Sequence, residues 1–81
     1  MLQRERAQSR RDQSMVKAAV EVLKGALTLE PNLASAHYEL ATALQRLGDL
    51  PGARPHMELA VEYDAEQYAE RGDAFFDKHG P

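Results

Sequence analysis

A chain of 81 residues, 43% hydrophobic and 28% charged with a formal net charge of −3, holds one small domain near the lower size limit for a self-sufficient core. The absence of cysteine excludes a disulfide framework, cysteine-ligated zinc and iron–sulfur sites, and a thiol nucleophile. No stretch approaches the roughly 18 apolar residues of a membrane span, and the Arg-rich start lacks the apolar run of a secretory signal, so a cytoplasmic setting is the expectation.

Residues 1–13 are polar and predict either a helical extension of the neighbouring segment or a loose arm. From about Ser14 to Leu29, Met15, Ala19, Val22, Leu23, Ala26 and Leu27 form a broad helical stripe that Glu30-Pro31-Asn32 ends. Asn32 is the expected N-cap of a second helix, whose buried face runs through Leu33, Ala36, Leu40, Leu44 and Leu47 to a stop at Gly48-Asp49. A third helix begins near Pro51, where proline is tolerated, and runs to Tyr63; Pro55 lies deeper and predicts a loose or bent first turn. Asp64-Ala65-Glu66-Gln67 reads as a capping box for a fourth helix with Tyr68, Gly72, Phe75, Phe76 and His79 on one side. No segment alternates with period two, so no strand is expected.

Charge is unevenly placed: residues 1–24 carry six Lys/Arg against three acids, and residues 25–81 carry four against ten. An arm with Arg4, Arg6, Arg10 and Arg11 could meet an anionic surface or nucleic acid, or pair two chains head to tail. No aromatic platform interleaves with these arginines, which counts against nucleic acid.

The chain also matches itself. A shift of 34 residues lays Ala19 on Ala53, Ala26 on Ala60, Val16 on Leu50, Leu23 on Met57 and Leu27 on Val61, small on small and large on large. With Leu40-Ala41, Leu44, Gly48-Asp49, Ala53, Met57 and Ala60 spaced as they are, the sequence resembles the tetratricopeptide repeat family, over about 50 of its residues. Residues 34–67 fit one unit, with His37 where the family has Trp and Ala65 where it has Pro; residues 16–33 fit the second half of a preceding unit. The resemblance implies an all-α fold of antiparallel helix-turn-helix type, a fragment of an α-α superhelix of about four helices. Its expected parts are an N-terminal arm at 1–13, repeat-like helices at 14–64 and a capping helix at 65–81.

Residues able to carry chemistry are few. His37 and His56 fall on adjacent helices and could approach each other, but no carboxylate supports them as in a zinc-binding H-E-x-x-H helix, and His79 is expected in solvent. Glu58/Glu62 and Glu66/Glu70 have the spacing of a solvated helix face. No serine sits in a nucleophile elbow and no glycines form a phosphate loop. No catalysis, metal or cofactor is expected.

The resemblance instead implies protein binding by the inner surface lined by the first helix of a unit, which would present Ser35, Tyr38, Thr42, Gln45 and Arg46 to a peptide or protein partner. Family members that grip a terminal carboxylate use Lys and Asn in this helix; here Tyr38 and Thr42 hold those places, which counts against that ligand. Repeats of this kind normally need about three units for stability. Val16, Val20, Leu27 and Leu29, with Phe75 and Phe76, are more apolar surface than two neighbours would cover. A homo-oligomer is therefore expected, with Leu27, Phe75 and Phe76 as its apolar edges. The alternatives are a structural or accessory subunit of a larger complex, and an anionic-surface or nucleic-acid binder acting through the arm.

Overall fold

The computed structural model describes residues 2–80, with side chains described from Arg10 to Gly80. Four helices follow one another: α1 (Leu2–Leu29), α2 (Ala34–Arg46), α3 (Leu50–Tyr63) and α4 (Ala65–His79). No strand occurs among the described residues. Each helix packs on its sequence neighbour, with the tightest seam between α2 and α3. The longest dimension, 44 Å, is close to the roughly 42 Å that 28 helical residues span at a 1.5 Å rise.

Small residues make the α2–α3 seam close. Ala41, Ala53 and Ala60 have no exposed surface, and Met57 and Phe75 complete a cluster flanked by Tyr38, Leu44 and Leu50. A second cluster joins α1 to α2 through Val20, Leu40 and Ala43, with Val16, Leu23 and Leu27 packed on it. Leu44 touches both clusters, so the two form one core at α2. Burying Val20, Leu40, Met57 and Phe75 contributes about 1.5–3 kcal/mol each against the entropy of ordering the chain.

Turn chemistry sets the helix ends. At the end of α2, the Gly48 amide donates to the Gln45 carbonyl at 3.0 Å and the Asp49 amide to Leu44 at 2.9 Å, the paired bonds of a Schellman motif. Gly48 takes φ +83°, the left-handed conformation this motif requires. Asp49 then caps α3, its Oδ1 accepting from the Gly52 amide at 3.0 Å. Asp64 closes α3 and opens α4 in the same manner, accepting from the Gln67 amide at 3.2 Å.

Some local expectations change. α2 starts after Leu33 with no side-chain cap, so Asn32 does not serve; the preceding turn is tied instead by His37 Nε2 on the Pro31 carbonyl at 2.7 Å. α3 continues unbroken through Pro55, because the Pro51 carbonyl that loses its amide partner belongs to an exposed residue that water can reach. α1 runs through position 13 without a break, one of the two forms expected of residues 1–13.

The stripe of α1 that meets α2 is Val16, Val20, Leu23 and Leu27, and not the broader one read from the sequence. Met15 is 70%, Val22 72% and Leu29 84% exposed, since a single neighbouring helix covers one side of α1. Val20 and Phe75, read as surplus apolar surface, are each 5% exposed and belong to the core.

Candidate functional site

The sequence places α2 and α4 on either side of α3, and their side chains meet over its inner edge. Tyr38 of α2 and Tyr68 of α4 stack with ring centroids 4.8 Å apart at 22°. The guanidinium of Arg71 lies over both rings, 5.1 Å from the Tyr38 centroid and 5.8 Å from that of Tyr68. Two turns further along α2, Gln45 Nε2 donates to His79 Nε2 at 2.7 Å, and the His79 ring rests on Phe75 at 4.9 Å. His79, expected in solvent, is thus held by α2 and the core.

Between these bridges lies an open pocket of about 180 Å³. Tyr38, Thr42 and Gln45 form its α2 wall, Met57 and Phe75 its apolar floor, and Arg71, Ala74 and Lys78 its α4 wall. The Thr42 hydroxyl donates to the Glu39 carbonyl at 2.9 Å, leaving its oxygen able to accept from an occupant. The walls offer two cations and no carboxylate, so the pocket suits a ligand with acidic and apolar groups.

Three of the five residues assigned to the inner face therefore meet here. Arg46 does not; it faces α1 in a separate pocket with Asp12, Met15, Val16 and Ala19. Ser35 is exposed at the start of α2 and lines neither. Leu27 and Phe75, assigned to the apolar edges, are packed in the two clusters, and Phe76 is partly buried with its ring edge-on to Phe75 at 5.2 Å. The α4 wall went unread, although Arg71, Ala74 and Lys78 recur at three and four residues and so share a helix face.

A family model described as TPR repeat matches residues 7–48, which hold most of α1, all of α2 and the Gly48 turn. The chain belongs to the tetratricopeptide repeat family. In this repeat protein the Tyr38, Thr42 and Gln45 wall lies within the matched stretch, and the α4 wall lies beyond it. Neither the curated proteins nor the solved structures include a match to the chain.

The two other histidines serve the α2–α3 seam. His37 Nδ1 and His56 Nδ1 are 3.0 Å apart, the rings stack with centroids 5.3 Å apart, and Tyr63 lies 5.7 Å from the His37 ring. Burial, and then the neighbouring His37 and Lys24, lower the pKa of His56 below the ordinary 6.5. No group of three or more His, Cys, Asp or Glu able to hold a metal occurs among the described residues.

Proposed function

We propose that this tetratricopeptide repeat protein is a non-catalytic cytoplasmic adaptor that takes an extended peptide segment of a protein partner in the α2–α4 groove and completes its own array by self-association. The observation that carries the peptide reading is the groove itself: an apolar floor of Met57 and Phe75 between a hydroxyl and amide wall and a wall bearing Arg71 and Lys78. A peptide strand laid there gains apolar contact from the floor and orientation from the polar walls. Its acidic side chains meet Arg71 and Lys78, with Arg71 also available as a planar donor fork. Support for self-association is the apolar surface of α1 that no neighbour covers.

The test uses a random peptide library displayed on phage and selected on the intact chain. Selected peptides are expected to carry acidic residues and to lose at least about tenfold in affinity for the Thr42→Arg variant, whose side chain fills the groove. Peptides that bind Thr42→Arg as tightly as the parent chain would move the binding surface off this groove.

A further inference from the structure

The largest exposed apolar side chains of the described residues include three on one line of α1: Met15, Val22 and Leu29, at 70%, 72% and 84% exposure. They recur every seven residues; Ala18 and Gly25 fall between them and Arg11 one step before, giving the series 11, 15, 18, 22, 25, 29 with alternating steps of four and three. All six are exposed. That spacing is the seam of a two-helix coil, and it lies on the side of α1 away from the Val16, Val20, Leu23 and Leu27 stripe that α2 covers.

The series reads the same from either end. Run against a reversed copy of itself about residue 20, it sets Met15 opposite Gly25, Ala18 opposite Val22, and Arg11 opposite Leu29. Large side chains meet small ones at both inner levels, the condition for two helices to interdigitate. In parallel register the same face would set Met15 on Met15 and Gly25 on Gly25, leaving a bulge at one level and a gap at another.

Charge favours the same arrangement. The last turn of α1 carries no basic residue, and the exposed Glu30 follows directly, so the negative end of the helix lacks a cation of its own. A reversed copy brings its exposed Arg10 and Arg11 to that end. On the flank, Lys17 and Glu21 of one copy come within reach of Glu21 and Lys17 of the other, so each acid has a base beside it.

We infer that the uncovered face of α1 is the seat of a second copy of this chain, docked antiparallel about a two-fold axis beside position 20. The inference rests on the self-association part of the proposed function and names its surface. One helix pair lies at the low end of specific interface sizes, below about 1,200 Å², so the dimer forms and dissociates with concentration.

The experiment is sedimentation velocity of the full chain over a hundredfold dilution, roughly from 1 to 100 µM. The parent chain is expected to pass from monomer to dimer, and Val22→Glu to weaken the dimer by at least about tenfold while keeping the parent's helical circular dichroism. Arg11→Glu and Glu30→Arg are each expected to weaken it, and the double variant to recover it, so that an unfolded Val22→Glu still leaves a readout. A parent chain that stays monomeric, or is dimeric with all three variants indifferent, overturns the inference.

Register is read by oxidising a mixture of Ala18→Cys and Val22→Cys chains, since the protein has no other cysteine. Crosslinks between unlike chains are expected to form faster than those between like chains; the reverse order overturns the antiparallel arrangement. Library peptides assayed on Val22→Glu separate the two readings, because groove binding that survives there leaves the peptide proposal standing even if the dimer fails.

Discussion

His37 and His56 face each other across the α2–α3 seam with their Nδ1 atoms 3.0 Å apart, and a bond from His37 Nε2 to the Pro31 carbonyl fixes which ring gives and which receives. A carbonyl only accepts, so Nε2 of His37 carries the hydrogen and, in the neutral ring, Nδ1 is left as an acceptor. His56 must then donate from its own Nδ1. The relay runs from His56 through His37 to the turn before α2, and it needs Nδ1 of His37 to carry no proton.

Acid should therefore loosen the seam. His56 has a folded pKa below its unfolded value of about 6.5, so the unfolded chain binds more protons once the pH falls below that value. Its contribution is intact above about pH 6.5 and declines as the pH falls toward the lowered folded pKa. Urea melts between about pH 8 and pH 5 should show falling stability below about 6.5, with a shallower slope in His56→Gln. Equal slopes in the two proteins would remove His56 from the account.

The link between α2 and α3 predicts costs of two origins. Gly48 has φ +83° with open space where a Cβ would stand, so Gly48→Ala should cost about 1 kcal/mol through backbone strain, and Gly48→Asn less. Asp49→Ala should cost about 1 kcal/mol by removing the cap on Gly52. Thermal or urea melts of the three variants check the order.

At Gly72 the limit is space. A Cβ there would lie 2.5 Å from Val61 Cγ2, and Val61 has little freedom to turn aside. Gly72→Ala gains about 1 kcal/mol of helix propensity and loses a similar amount to the collision, so its melt should stay near the parent's. Gly72→Leu keeps the gain but must push α4 off α3, with a net loss of about 2 kcal/mol. A Gly72→Leu protein as stable as its parent would show that the seam can open without penalty.

Groove substitutions should separate binding from folding. Arg71 is exposed and its guanidinium lies over two tyrosine rings, so Arg71→Ala should cost at most about 1 kcal/mol of stability. Its effect on peptides selected for acidic residues should be larger, about tenfold or more, and should shrink in high salt. Isothermal titration at two ionic strengths reads both effects.

The repeat was legible because it is written in small residues at fixed spacing: Ala41, Ala53 and Ala60 with Gly48 can be recognised in the chain, and all three alanines are fully buried in the fold. The broad stripe of α1 was legible as apolar but not as divided, since periodicity reports which residues are apolar and not how many neighbours arrive to cover them. Met15 and Val20 look alike in the sequence, and one is 70% and the other 5% exposed. The α2 half of the groove followed from the resemblance, whereas Arg71 and Lys78 lie on α4 beyond the residues 34–67 that fit the repeat unit. Arg46 was placed by helix position alone, and the packing of α1 on α2 sets it beside Asp12, Met15, Val16 and Ala19.

The two side-chain bridges from α2 to α4 have a consequence for motion. A helix ordinarily frays from its ends, each amide exchanging a little faster than the one before it. Here Tyr38 grips Tyr68 near the start of α4 and Gln45 grips His79 at its last residue, so both ends are tied to a helix two elements back. The helix is set to open as one unit. Whatever settles between the bridges touches both anchors and resists that opening, so amide protons along all of α4 would slow together, including those no ligand atom reaches.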